Sequence, residues 1–218
     1  MTTSKGRSRG PHRGMSNSPG QFARAFVDGR LGGFAKDIRI CLRGTRIRSN
    51  NRSVITHAYF PALMSCCGML EYLAGLHVGR INRLGTRDVI AYAIKYLPQP
   101  DYRADAIRVL FDAFRNAIAH RGIATGVWVD HHPATRGRRL TWKVHASATR
   151  PPLDVVASKG VLKIDPPWPC RFTHRVHIRL GRLWRDIRDS ADRYIGDLDA
   201  SQELQDHFFE CMEQLYPR

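Results

Sequence analysis

The sequence predicts a mainly α fold, a helical bundle carrying a small antiparallel β-hairpin insertion. Three observations lead there. Apolar residues recur at helical spacing through residues 53–121 and again through 171–216, with cap and stop residues at their ends. Between them, residues 126–165 change texture to short β-branched or aromatic runs, "GVWVDHH", "RRLTWKVHASAT", "LDVVAS" and "VLKI", parted by Gly, Pro and polar turns. A chain of 218 residues, 43% hydrophobic and 25% charged, is long and apolar enough for one domain with a sizeable core.

The elements follow in order. Residues 1–20, "MTTSKGRSRGPHRGMSNSPG", cannot bury a face and read as a disordered basic arm ahead of a domain over 21–218. "QFARAFVDGRLGGFAKDIRICL" has helical spacing interrupted by Gly29, Gly32 and Gly33, which predicts two short helices or one broken one. "RGTRIRSNNR" reads as a basic connector. A helix over 53–79 comes next, kinked at Pro61 because proline removes a donor and clashes with the turn before it. Its length invites a membrane reading, but Glu71, His57, Pro61 and the flanking arginines favour a buried central helix and no membrane partner. Thr86 caps a helix to Tyr96, which "LPQP" stops, and Asp101 caps the next, which ends at Gly122. Two hairpins fill 126–165, with Trp128 and Trp142 packing the sheet on the bundle. Helices over 171–199 and from a Ser201 cap to Tyr216 complete the chain.

Charge narrows the function. Thirty-five Lys and Arg against nineteen Asp and Glu leave +16, which points to a polyanionic partner. Residues 1–52 hold twelve basic and two acidic residues, +10 of the total, whereas residues 183–218 hold four arginines and nine acids, −5. Five cysteines form no CxxC pair, and no apolar stretch follows the basic N-terminus as in a secretory signal. The expectation is a reducing cytoplasm, without disulfides or a zinc site. Nucleotide-binding glycine motifs and nucleophile elbows are absent from the sequence. His131, His132, His174 and His177 lack the carboxylate or cysteine pattern of a metal site, so no metal or other cofactor is assigned.

The most informative stretch is "FDAFRNAIAHRG", residues 111–122. On an ideal helix, Ile107, Leu110, Phe111, Phe114 and Ile118 share one core-facing sector. Arg115, Asn116 and His120 fall on the opposite side, with Asn116 and His120 on adjacent turns of one face and Ala119 between them. A small residue there lets a second helix approach, which suits a site built by two copies about a two-fold axis. Histidine moves protons near neutral pH, and arginine holds phosphate oxygens in a fixed fork. Together they suffice for attack of a ribose 2′-hydroxyl on the adjacent phosphate. The Arg-to-His spacing alone is common here, recurring at Arg7/His12, Arg52/His57, Arg139/His145 and Arg171/His177. The adjacent Asn116, the small or apolar "AIA" and the helix-ending Gly122 set this instance apart. On the predicted 171–199 helix, Arg171, Arg175, Arg179 and Arg182 gather opposite an apolar stripe and form a candidate RNA-binding face.

"FRNAIAHRG" resembles the signature of the HEPN superfamily, an Arg beside a polar residue followed by His after four to six positions. The resemblance covers about ten residues in sequence and residues 53–200 in architecture, a HEPN-like helical bundle with a short β insertion. It implies a metal-independent endoribonuclease of toxin or phage-defence type, active as a homodimer, with Arg115 and His120 as the catalytic pair and Asn116 beside them. RNA is the implied partner, together with an antitoxin or immunity protein. Many such proteins are instead non-catalytic modules that bind nucleic acid or a partner protein, and that alternative stays open. Glu71 stands as an accessory polar group or as a carboxylate satisfied by an arginine.

Overall fold

The computed structural model describes residues 18–49, 52–121, 126–163 and 168–217. The element order is α1 (Pro19–Arg43), β1 (Thr45–Ser49), β2 (Arg52–Thr56), α2 (Tyr59–Val78), α3 (Thr86–Tyr96) and α4 (Ala104–Val109). A π-helical turn (Leu110–Arg115) leads into α5 (Asn116–Arg121). β3 (Trp128–Val129), β4 (Arg139–His145), β5 (Leu153–Leu162), β6 (Cys170–Arg179), α6 (Leu180–Ala200) and α7 (Gln202–Leu215) follow. Residues 1–17 of the expected 1–20 arm, and the stop at Gly122, lie outside the described residues.

α2 runs through the centre. Leu63, Cys66, Cys67, Leu70, Leu73 and Ala74 have no exposed surface, and a helix apolar all round has to be enclosed. α1, α3, α6 and α7 enclose it. Among the described residues no helix is long and apolar enough to cross a membrane. Pro61 lies in the first turn of α2, where the backbone donor has no helical partner to lose, so it starts the helix and does not kink it. α1 is a single helix. Gly29, Gly32 and Gly33 all face open space, while Ala23, Val27, Leu31 and Ile38 supply the buried stripe. A capping box holds its start, with Ser18 Oγ accepting from the Gln21 amide at 3.2 Å and Gln21 Oε1 accepting from the Ser18 amide at 3.3 Å. Ser18, Pro19 and Gly20 therefore belong to the domain and not to the arm.

The fold class needs correction. The β part is a four-stranded mixed sheet in the order β3–β4–β6–β5, not a small antiparallel hairpin insertion. β6 is antiparallel to β5 but parallel to β4, with Trp142 opposite Val176. The chain leaves β4, passes the place of one strand to form β5, and returns as β6 to fill the gap. The sheet thus extends beyond 126–165 and takes in 170–179, which the helical reading of 171–199 had claimed. Even-numbered Val176 and Ile178 are buried while odd-numbered neighbours are not, the period-2 signature of a half-buried strand. His174 and His177 consequently lie on opposite faces, not one helical turn apart. A second two-stranded sheet, β1–β2, replaces the connector and the first residues of the expected 53–79 helix.

The sheet's apolar face lies over the helix that carries "FRNAIAH". Trp142 meets Phe114 edge to face at 4.8 Å between ring centres. The turn joining β3 to β4 is clamped to α4 through Asp130, which is fully buried and accepts from Arg108, Arg138, Thr135 and the His132 amide. α2 ends at Gly79, whose φ of 76° favours glycine, and a Cβ there would stand 2.9 Å from His207 and Glu210. Gly79→Ala is expected to destabilise the protein by about 1–2 kcal/mol in a urea melt. An unchanged midpoint would show that this end of α2 yields freely.

Candidate functional site

Arg115 and Asn116 sit where the helix changes winding. The Asn116 amide donates to the Phe111 carbonyl, five residues back, so one extra residue is held in the turn between α4 and α5. π turns of this kind cluster at functional sites because they re-aim side chains at a local energetic cost. Here Leu110, Phe111, Ala113 and Phe114 are all buried, on either side of the partly exposed Asp112. Arg115 then points at α2 and not out to solvent, as an ideal helix has it. Its Nη2 lies 2.9 Å from Glu71 Oε1 and 3.0 Å from Oε2, and its Nη1 donates to Asn116 Oδ1 at 3.1 Å. Both charged side chains keep about a quarter of their surface exposed, 27% for Arg115 and 24% for Glu71. Glu71 is thus a carboxylate satisfied by an arginine, as one of its two readings held.

A cleft of about 370 Å³ opens beside this pair, lined by Gly68, Glu71, Tyr72, Ile81, Arg83 and Arg115 among others. Arg83 was missed in the sequence. It is exposed, pairs with no described residue, and adopts a φ of 60°, uncommon for a residue with a side chain. Two arginines from distant parts of the chain therefore share one cleft, Arg115 tethered and Arg83 free at the rim. The signal available in sequence was weak: a basic residue in the loop between Gly79 and Gly85.

His120 occupies the last turn of α5, one turn beyond Asn116. It is exposed and makes no hydrogen bond or ion pair with the described residues, and Ala119 beside it is exposed as well. It stands outside the lining of the cleft. The structure thus joins Arg115, Asn116 and Glu71 by direct contacts and leaves His120 facing outward on the same helix. A histidine packed into its own chain, the arrangement that would make the trio incidental, is not what is found.

Cysteine offers no nucleophile nearby. Cys67 is buried beside Glu71, and both burial and that carboxylate push its thiol well up, against the smaller opposing pull of Arg115. Such a thiol stays protonated and inert. Among the described residues no group of three or more His, Cys, Asp or Glu side chains is arranged to hold a metal ion.

The four arginines proposed to bind RNA do not form one helical face. Arg171, Arg175 and Arg179 belong to β6, and Arg182 to the first turn of α6. Arg182 is engaged by Asp186, which is fully buried and also accepts from the Tyr102 hydroxyl at 2.9 Å. Arg182 is therefore occupied within the fold. Arg179 donates to the Pro151 carbonyl, Arg175 stacks over the Phe172 ring at 5.1 Å, and Arg171 is exposed.

A second and larger cleft, about 470 Å³, lies between the ends of α2, α3 and α6 and the start of α7. Several of its polar groups serve each other, but His77 Nδ1 is buried without a hydrogen-bond partner among the described residues. Lys95 pairs with Asp197 at 3.4 Å, and His207 Nδ1 lies 2.9 Å from the His77 carbonyl oxygen. Burial, with Lys95 and His207 nearby, lowers the pKa of His77 and keeps it neutral. No protein-family model matches the chain, and the searches of curated proteins and of solved structures returned no match.

Proposed function

We propose that the chain is a metal-independent endoribonuclease of HEPN type, acting as a homodimer in which the α5 helices of two copies face each other. The observation that carries the reading is the π turn. It presents Arg115 and Asn116 as a connected pair, with an unengaged, exposed His120 one turn further on. His120 takes the proton from a ribose 2′-hydroxyl, whose oxygen then attacks the adjacent phosphorus. Arg115 donates to the non-bridging oxygens as charge builds there. The bond to the 5′-oxygen breaks, and the imidazolium of one copy returns a proton to that leaving oxygen. The products are a 2′,3′-cyclic phosphate and a 5′-hydroxyl. A guanidinium has five N–H donors, so the contacts to Glu71 and Asn116 fix Arg115 without exhausting it.

The same ion pair supports a second reading, a non-catalytic module that binds nucleic acid or a partner protein, because Glu71 neutralises the cation in the free chain. One assay separates the two. Purified protein is incubated with structured and unstructured RNA in EDTA, beside an Arg115→Ala/His120→Ala double variant. Cleavage leaving 2′,3′-cyclic phosphate ends, lost in the variant, is expected. Intact RNA with both proteins, or equal cleavage by both, would remove the catalytic role and leave binding as the function.

A further inference from the structure

The outer face of the four-stranded sheet carries chemistry that the candidate site does not use. Register sets it out. Thr141 pairs with Arg175, Lys143 with His177 and His145 with Arg179 across the parallel β4–β6 ladder, while Asp154 faces His177 and Val161 faces Arg171 across β5–β6. Paired residues share a face, and this one lies opposite the buried Leu140, Val176 and Ile178, although its own Thr141 is buried as well. Arg139, Lys143, Arg171, Arg175 and Arg179 thus stand in two adjacent rows, with Asp154 the one acid paired against them among the described residues. At about 3.3 Å per residue, alternate positions recur roughly every 6.6 Å along a strand, a step similar to that between successive phosphates of an extended single strand. Towards the end of β4, His145 and His177 stack, ring centres 5.4 Å apart and Nε2 to Nδ1 3.1 Å. At the end where β6 begins, Trp168 is 71% exposed and Val161 51%.

We propose that this sheet face is a track for single-stranded RNA, with the β4 and β6 cations holding the phosphate backbone and Trp168 stacking on a base. Two features select a single strand. The cations follow two neighbouring strands, and an exposed indole two residues ahead of β6 supplies the aromatic partner that binds unpaired bases without regard to sequence. Burial and the neighbouring Lys143, Arg175 and Arg179 hold the two histidines neutral, with Asp154 opposing this at His177. Neutral imidazoles offer N–H donors to phosphate without adding to the repulsion among the arginines. The track lies on an element separate from Arg115 and His120, so its binding does not rest on catalysis there. If those residues do cleave RNA, the track is what holds the substrate.

The test is fluorescence anisotropy with a labelled 2′-O-methyl oligouridylate, which lacks the attacking hydroxyl and stays intact. Lys143 and Arg171 are exposed, and their charged ends are bonded to no described residue, so Lys143→Glu/Arg171→Glu leaves the fold in place. It is expected to weaken binding by about tenfold or more at low salt and to flatten the salt dependence. Lys143→Gln/Arg171→Gln is expected to fall between it and the native protein, and Trp168→Ala to lose several-fold. Arg115→Ala/His120→Ala is expected to lose cleavage while keeping the salt-dependent binding that the charge-reversed sheet variant loses, so failure of cleavage and failure of the track read out separately. Native-like binding by the charge-reversed variant, with an unchanged circular-dichroism melt, would overturn the proposal. So would charge-dependent binding to phosphatidylserine vesicles in preference to the oligonucleotide.

Discussion

Replacing His120 by alanine is expected to lower RNA cleavage by about 10²–10⁴-fold, the usual worth of a positioned proton-transfer group, with almost no change in stability. The two halves of that expectation have separate grounds. His120 is exposed and bonded to no described residue, and a surface substitution of that kind usually shifts unfolding by no more than about 0.5 kcal/mol. Any large loss of activity is then chemical. Arg115→Lys is the matching probe on the other partner. It keeps the positive charge but not the planar fork that reaches Glu71 and Asn116 at once, and it is expected to lose most of the activity too. Because the residues act on one transition state, the double variant is expected to lose little more than the worse single one. The measurement is single-turnover cleavage beside a thermal melt. Full activity in His120→Ala would end the proton-transfer role, and loss of activity together with the fold would show His120 to be structural.

The homodimer proposed above is expected to join groups that a single chain keeps apart. Arg115 turns inward to α2 while His120 faces out, so the two are not poised on one phosphate by their own chain's cleft. In the proposed homodimer, a second copy related by a two-fold axis is expected to bring a second Arg115–Asn116 pair towards the first His120. The exposed Ala119 leaves room at the crossing. A strictly monomeric protein that still cleaved RNA would call for another route between these groups.

How much of this was legible varies with the range of the forces involved. α3 and α7 could be read to within about a residue, since caps and periodicity are local: Thr86–Tyr96 is helical, though Gly85 and not the expected Thr86 is its cap, and Ser201 Oγ accepts from the Leu204 amide at 3.3 Å. The buried stripe of α6, Leu183, Ile187, Ala191, Tyr194 and Leu198, was also legible from its spacing. β6 was not. Phe172, Val176 and Ile178 alternate as a strand should, but Val176, Leu180 and Leu183 also fit a helical stripe that runs straight on into α6. What settles the choice is pairing with β4 and β5, and parallel pairing across an intervening strand has no local sequence mark. The π turn escaped for a different reason. Projection at a constant angle assumes the regular winding that a π turn breaks, so the trio was identified while the aim of Arg115 was not. Its contact with Glu71 is a tertiary event 44 residues away in sequence.

The clamp at Asp130 shows what holds the sheet over that turn, and Asp130→Ala is expected to cost about 3–5 kcal/mol, the typical effect of removing one member of a buried ionic group. Asp130 has no exposed surface, and Arg108 and Arg138 keep only 13% and 17% of theirs. Arg108 Nη2 donates to its Oδ2 at 2.9 Å, Arg138 Nη2 at 2.7 Å and the Thr135 hydroxyl at 2.7 Å, while the His132 amide takes Oδ1 at 3.0 Å. Without the carboxylate, two guanidiniums lose their main counter-charge in a poorly solvated place, and Asp105 is left to serve both. A chain of this length is expected to melt roughly 10 °C lower as a result. The sign of the pH dependence is fixed by the same contacts. The arginines, Thr135 and the His132 amide hold the Asp130 carboxyl far below the usual carboxylate range, outweighing its burial. A depressed carboxyl contributes stability that is complete above its unfolded value near pH 4 and is withdrawn as pH falls towards the folded value. Urea melts at neutral pH and at about pH 3 are therefore expected to show the gap between native protein and variant closing on acidification. A gap that held constant would mean that packing of the β3–β4 turn, and not the charge on Asp130, keeps the sheet against the helix.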